Sequence, residues 1–325
     1  MIKKLISSAC VLAFFSGGAL EASAQQLEDC YATPTVYSGT TLANLADRYF
    51  ADVDYRYAIL LATNARTSDG FPFIGNPHQL PLGKQLCVPA ITEAERLRNR
   101  FLMYIEAVQD MALPVPSEVT NNLSPLDVSG PVGVATWVRA DQAASYRAQV
   151  GQTIQAGGDI WVTEVPKIQE FCKSYAQTHG DYLPGITLRL EQRLGMPPHS
   201  AKTAFVEFEV ANPDKQSQIF RPCASPSVTT STCAMGPPAS CDPGDAQCHR
   251  HYDFFMGQYY YSYGVSLPAE YPWTSLGYTF DWAHKAIGLE DTPDFVQYGG
   301  SEYVVPKGAT VTVRAVYDTA DYCKN

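Results

Sequence analysis

The sequence predicts an α+β protein in which a small βααβ unit precedes a larger, disulfide-rich mixed α+β domain. Two observations indicate this organisation. Residues 33–89 read as strand, helix, helix and strand, and from residue 132 onward β-branched runs and helical patterns are mixed without a repeat. In addition, eight of the nine cysteines follow an export signal. An even number of cysteines in an oxidising compartment favours a disulfide framework.

Residues 1–24 are typical of a secretory signal peptide. Lys3 and Lys4 precede an apolar run that ends near Leu20, and Ala22-Ser23-Ala24 supplies small residues for cleavage. The run is too short to span a membrane, so we expect a periplasmic or secreted protein without membrane insertion. Cleavage removes two lysines and one glutamate and changes the net charge from -10 to -11. That acidity argues against nucleic acid as a partner.

The βααβ unit is predicted over residues 30–90. The β-branched run at 35–37 favours a strand that ends at Gly39, after which Thr40 or Thr41 can cap a first helix. Apolar residues at helical spacing predict a second helix from about residue 55 to residue 65. Residues 85–89 form a short closing strand that a proline stops.

This unit resembles a LysM module. The matching features are Tyr37-Ser38-Gly39-Thr40-Thr41-Leu42, Ala46, Asn64, Asn76-Pro77-His78 and Leu82-Gly83-Lys84-Gln85-Leu86-Cys87-Val88-Pro89. Two features depart from the family pattern: Thr40 replaces the usual acidic residue, and residues 66–75 look inserted. The family binds glycans that contain N-acetylglucosamine, so the resemblance implies peptidoglycan or a related glycan as the partner.

The resemblance implies that two loops contact the glycan. Their residues are Gly39, Thr40, Thr41 and Leu42 in the first loop, and Asn76, Pro77, Gln79 and Leu80 in the second. An acetamido sugar needs backbone N–H and C=O groups for its amide and a small apolar pocket for its methyl group. Two adjacent loops at the end of a strand pair can offer both. The alternative is that these residues form only turns and helix caps.

Cys30 and Cys87 bracket the βααβ unit, and its first and last strands should lie side by side. We therefore predict a disulfide between them, which would close a loop of 58 residues and stabilise the fold by about 4 kcal/mol. The other cysteines allow fifteen pairings, and the sequence does not choose among them. They are Cys172, Cys223, Cys233, Cys241, Cys248 and Cys323.

Residues 91–131 are predicted to form one helix and a linker. Thr92 and Glu95 match a capping box, and the apolar face that continues to about Met111 should pack on a neighbouring domain. Residues 117–133 contain the turn-forming pairs Asn121-Asn122, Ser124-Pro125 and Gly130-Pro131, which predict the linker.

The C-terminal α+β domain is predicted over residues 132–325. β-Branched runs predict strands at 133–138, 160–164, 203–210, 302–305 and 310–316. Helices are predicted near 166–176 and 187–194, and residues 223–248 read as a loop held by disulfides.

The candidates for metal binding are few. His249 and His251 would share one face of a strand, and Asp281 and His284 would share one face of a helix. No H-E-x-x-H motif accompanies them, and G-x-S-x-G is absent too. We therefore predict no metal, no cofactor and no catalytic residue.

Twelve aromatic residues fall within residues 252–282, and their exposed rings would suit sugar faces or a protein partner. We expect Phe254, Phe255 and Trp282 to lie in the core. Tyr259, Tyr260 and Tyr261 are consecutive, so at least one of these rings should reach the surface.

The sequence therefore predicts an exported, non-catalytic protein that binds peptidoglycan through the LysM-like unit. Its C-terminal domain would serve as a scaffold or bind a protein partner. A cell-wall hydrolase, possibly metal-dependent, with its active site in residues 132–325 is the first alternative. The second is a structural protein whose LysM-like unit binds no glycan.

Overall fold

The computed structural model describes residues 29–264, 271–284 and 295–324, so the predicted signal peptide lies outside the described residues. The described chain combines α-helices with one seven-stranded antiparallel sheet, which confirms the α+β class. Within these ranges, every helix is too short or too polar to cross a membrane.

The N-terminal unit contains α1 (Leu42–Phe50) and α2 (Arg56–Asn64). Helix α1 begins where the sequence predicts, because the Thr41 hydroxyl accepts a hydrogen bond of 3.0 Å from the backbone N–H of Asn44. The extended segments before and after the two helices pair antiparallel at two isolated bridges, Ala32 with Val88 and Thr35 with Gln85. The two segments form these isolated bridges rather than the full strands that the sequence predicts.

Helix α3 (Ile91–Met111) joins the two halves of the chain. Its N-terminal half, with Leu97 and Phe101, completes the core of the N-terminal unit. Its C-terminal half, with Tyr104 and Val108, packs on Trp282 of the C-terminal domain. The predicted burial of its apolar face is therefore confirmed.

The predicted capping box at the start of α3 is wrong. The helix begins at Ile91 after Ala90, which has no side chain able to cap, and Thr92 lies inside the first turn. The capping-box pattern alone does not determine the residue at which the helix begins. The buried Pro89 holds the chain in place just before the helix.

The sheet has the strand order β2-β7-β4-β1-β3-β6-β5. Its strands are β1 (Val132–Arg139), β2 (Thr153–Gln155), β3 (Ile160–Glu164), β4 (Lys202–Val210), β5 (Tyr278–His284), β6 (Phe295–Val305) and β7 (Thr310–Asp318). The short strand β2 and the aromatic strand β5 were not predicted. The five other strands occur where the β-branched runs lie.

Both faces of the sheet are covered. On one face, Val134, Val206 and Tyr303 belong to a core to which the partly buried Tyr146 of α4 (Ala140–Arg147) adds its ring. On the other face, Trp137 and Phe205 stack at 5.7 Å. The helices that supply this second core are α5 (Lys167–His179), α6 (Leu183–Arg193) and α8 (Thr319–Tyr322).

The segment predicted as a linker packs against the C-terminal domain. Leu123 and Leu126 are buried, and their backbone N–H groups donate to the carbonyls of Ser231 and Val228 at 3.0 and 2.8 Å. The predicted linker therefore packs on the predicted loop at residues 223–248. The residue types of this segment indicated irregular backbone, and the backbone is irregular, but it is packed and hydrogen-bonded rather than a free linker.

Helix α7 (Ala246–Tyr263) was not predicted. Asp245 caps it by accepting hydrogen bonds from the N–H groups of Gln247 and Cys248. Because Gly257 and a run of tyrosines interrupt its apolar spacing, the helix carries little periodic signal.

Four cysteine pairs lie at disulfide distance. The predicted pair Cys30–Cys87 is confirmed. The other three pairs are Cys172–Cys323, Cys223–Cys233 and Cys241–Cys248. The first of these ties α5 to the C-terminal end of the chain, and the other two close short loops before and at the start of α7.

Replacing both Cys30 and Cys87 by serine should lower the free energy of unfolding by about 4 kcal/mol, because the two cysteines are 57 positions apart in the sequence. Replacing Cys241 and Cys248 should cost only about 2.5 kcal/mol, since that pair spans 7 residues. Denaturant unfolding of the two double variants measures the difference. Equal losses, or a free thiol at any of these positions in the native protein, would contradict the assignment.

Candidate functional site

The two loops that the LysM resemblance singles out leave the N-terminal ladder at the same end. The last rung joins Val36 to Gly83 and Lys84, with the Gly83 N–H donating to the Val36 carbonyl at 2.9 Å. The first loop, residues 37–41, follows Val36 directly. The second loop, residues 76–80, comes just before Gly83. The disulfide Cys30–Cys87 closes the opposite end of the ladder.

Several predicted glycan-binding residues form turns and caps. Gly39 adopts φ of 85° in the first loop, the Thr40 hydroxyl accepts from the Tyr37 N–H, and the Thr41 hydroxyl caps α1. Asn76 forms an Asx turn by accepting from the N–H of His78 at 2.9 Å. These contacts build the local structure and are compatible with either reading of the loops.

The other predicted residues divide between core and surface. Leu42 is buried, and Leu80 packs partly against the N-terminal core. Pro77 is half-buried, and Gln79 is exposed. Beside the last rung, Tyr37 and Leu82 are each 70% exposed. Neither of these two side chains is among the glycan-binding residues predicted from the sequence.

A second candidate site lies in the C-terminal sheet, where two neighbouring strands separate. Strand β1 pairs with β4 along its whole length but with β3 only at Val134 and Ala135. The first residues of β3, Ile160–Val162, pair with β6 on their other side. The facing edges of β1 and β3 therefore diverge beyond Ala135. We call this gap the fork.

A cavity of about 560 Å³ lies at the fork. Both diverging edges line it, together with the loop after α6, α7 and residues 271–273. Eight aromatic residues line it: Trp137, Tyr146, Trp161, Phe205, Tyr261, Tyr271, Trp273 and Phe280. We call it the fork cavity, and its volume lies in the range of roughly 300–1,000 Å³ that is common for ligand pockets.

Glu302 lies at the closed end of the fork cavity. Ala135 of β1, Thr163 of β3 and Glu302 of β6 are successive partners across three strands, and all three line the cavity. Glu302 is buried, and its Oε1 has no hydrogen-bond partner among the described residues. Burial raises the pKa of its carboxyl to about 8, although the nearby Arg221 guanidinium acts in the opposite direction. The carboxyl is therefore mostly protonated at neutral pH.

Two other polar groups of the cavity wall are notable. Trp273 is 5% exposed, and its indole N–H likewise has no partner among the described residues. Lys202 lies at the open end of the fork beside Arg139, and burial lowers the pKa of its amine to about 8. No pattern in the sequence predicts this site, because its residues come from segments that only the sheet brings together.

The histidine candidates do not come together. His249 and His251 lie on helix α7 rather than on a strand, so they point to different faces. His249 is exposed, whereas His251 is buried and its Nε2 lies 2.8 Å from the carbonyl oxygen of Cys223. The part of the chain that the structure describes contains no group of three or more metal-ligating side chains.

The proposed face of Asp281 and His284 is not helical, because both residues lie on β5. The buried Asp281 carboxylate forms a bidentate ion pair with Arg189, with hydrogen bonds of 2.9 and 2.6 Å. The side chain of His284 lies outside the described residues.

The aromatic-rich segment divides between core and surface. Phe255 and Trp282 are buried as expected, whereas Phe254, which was also expected in the core, is half-buried against Phe220. Tyr260 and Tyr261 are exposed, which confirms that the three consecutive tyrosines cannot all face inward.

Comparisons with protein-family models, with curated proteins and with solved structures yield no match to this chain. The function of this chain is therefore inferred from the geometry of the N-terminal loops and of the fork cavity.

Replacing Glu302 by glutamine should stabilise the protein increasingly as the pH rises. The folded-state pKa of about 8 lies above the unfolded value, so the native protein holds a proton that the unfolded chain loses. Native stability therefore falls between about pH 4.5 and pH 8 in the wild type, and Glu302→Gln removes that loss. Thermal unfolding at pH 5 and pH 8 measures it. A difference in melting temperature between variant and wild type that is the same at both pH values would refute the assignment.

Proposed function

We propose that this chain is an exported, non-catalytic protein that binds glycans containing N-acetylglucosamine, such as peptidoglycan, through its N-terminal unit. The observation that supports this proposal is the placement of both candidate loops at one end of the Val36–Gly83 ladder. Its C-terminal domain serves as a scaffold or binds a partner. The four cysteine pairs are consistent with an extracytoplasmic protein, either periplasmic or secreted.

The surface at this end of the ladder suits a sugar. Tyr37 offers an exposed ring face beside the first loop, and aromatic faces stack on the apolar faces of pyranose rings. The exposed Gln79 adds an amide in the second loop. One such site makes few contacts, so binding is weak and depends on the repeated units of a polymer.

The test variant should spare Thr41, because its hydroxyl caps α1. It should also keep residues 30–90, because their removal would expose Leu97 and Phe101 of α3. Tyr37 avoids both problems. Tyr31 is its matched control, since it is 72% exposed and lies beyond the opposite end of the ladder, about 20 Å along the extended chain.

Tyr37→Ala should lower retention on purified sacculi several-fold, whereas Tyr31→Ala should leave it unchanged. Loss of one stacked ring corresponds to roughly 0.5–1.5 kcal/mol. Pull-down with titrated sacculi measures retention, and added salt should have little effect because the sugar is neutral. If both variants bind as wild type does, the N-terminal unit is structural.

A cell-wall hydrolase is the second candidate, and Glu302 is the observation that favours it. A carboxyl that stays protonated at neutral pH is in the state that a general acid needs. Asp159, which also lines the fork cavity, is an exposed carboxylate that a two-carboxylate mechanism could use.

This candidate predicts that the protein releases reducing ends from sacculi and that Glu302→Gln abolishes the release. Glu209→Gln is the control, because Glu209 lies on β4 beside Arg314 and away from the cavity. Absence of release by the wild type, or release by Glu302→Gln at the wild-type rate, would remove the hydrolase from consideration.

A further inference from the structure

We propose that the fork cavity is a second binding site of this protein and that it takes a short neutral oligosaccharide. The site lies in the C-terminal sheet and shares no residue with the loops of the N-terminal unit. It therefore stands or falls independently of the function proposed for those loops.

Two buried polar groups of the cavity wall, the Trp273 indole N–H and the Glu302 Oε1, have no hydrogen-bond partner among the described residues. The indole can only donate, whereas the Glu302 carboxyl offers both a donor and an acceptor when protonated. A buried polar group without a partner is destabilising, so a ligand that satisfies these groups gains from contacts the free protein lacks. The hydroxyl groups of a ligand can accept from the indole and pair with the carboxyl.

Aromatic side chains form much of the cavity wall. Tyr261 and Tyr271 stack with their ring centroids 6.0 Å apart, and the half-buried Trp161 lies on the edge of β3. Water beside aromatic faces is poorly held, and a ligand with apolar faces displaces it favourably. A pyranose ring combines such faces with hydroxyl groups around its rim.

The polar side chains of the cavity wall are mostly uncharged. The other polar side chains of the wall include Thr136, Thr163, Gln142 and Gln258, all of which are uncharged. The charged groups Lys202 and Asp159 carry opposite signs, and Asp159 already accepts from the Lys307 N–H at 2.8 Å. The described wall thus selects neither a strong cation nor a strong anion.

Four consecutive residues of the diverging β1 edge, Ala135–Val138, line the cavity over about 10 Å. A cavity that is lined along a strand suits a linear chain of sugar rings. An extended peptide is the other chain molecule that a strand edge attracts, but a peptide uses backbone groups and gives no reason for the two unmet side chains.

The experiment is isothermal titration of the full-length protein with three neutral trisaccharides, namely maltotriose, cellotriose and triacetylchitotriose, and with trialanine. We expect at least one trisaccharide to bind with a Kd that does not change between low and high salt, and trialanine not to bind. Tyr37→Ala should leave this Kd unchanged, which separates the fork cavity from the N-terminal loops.

Three variants locate the binding. Tyr261→Ala should raise the Kd roughly three- to tenfold, and Tyr260→Ala should not change it, since Tyr260 is its exposed neighbour on α7 and does not line the cavity. Trp273→Phe keeps an aromatic ring and removes the N–H, so it should raise the Kd about tenfold. Far-UV circular dichroism and melting temperature verify that each variant is folded.

The proposal is overturned if no trisaccharide binds the wild type, or if Tyr261→Ala and folded Trp273→Phe bind as the wild type does. It is equally overturned if trialanine binds and the same two variants weaken it, because the fork would then be a peptide site.

Discussion

The buried guanidinium of Arg221 joins three chain segments next to β6, the strand that carries Glu302. Arg221 is fully buried, and its N–H groups donate to five backbone carbonyl oxygens: those of Ser124, Ser227, Val228, Thr230 and Gly277. These carbonyls belong to three segments that have little regular structure of their own. A buried cation is costly unless its donors are satisfied, so the three segments and Arg221 stabilise one another.

The same arrangement explains the state of Glu302. Arg221 lies 4.7 Å from the centre of the Tyr303 ring, one residue along β6 from Glu302. Its donors bond to carbonyl oxygens, and its charge lowers the pKa of Glu302 less than burial raises it. Gly277 permits this packing, because a side chain there would meet the Cδ of Arg221 at 2.8 Å. The cavity therefore keeps a neutral carboxyl that has no partner among the described residues.

Local pattern was enough to predict the elements whose residues interact with near neighbours. The β-branched runs predicted β1, β3, β4 and β7, and helical spacing predicted α3. The fork depends on register between strands that are distant in the sequence, with Thr163 opposite Glu302, and no local pattern encodes that pairing. Glu302 reads locally as one polar residue in a strand. The carbonyl oxygens that bind Arg221 could not be predicted from the sequence, because every residue has a backbone carbonyl.

Helix α3 determines how the two proposed sites would act together. Leu97 and Phe101 belong to one core, and Tyr104 and Val108 pack on Trp282 of the other domain, so one continuous helix is built into both domains. A short helical connection limits the positions that the N-terminal loops can take relative to the fork cavity. On a polymeric glycan, two weak sites held in this way act as one stronger site only when the spacing of the sugars matches their separation. The rigidity that α3 supplies would then select the architecture of the polymer as well as the identity of its sugars.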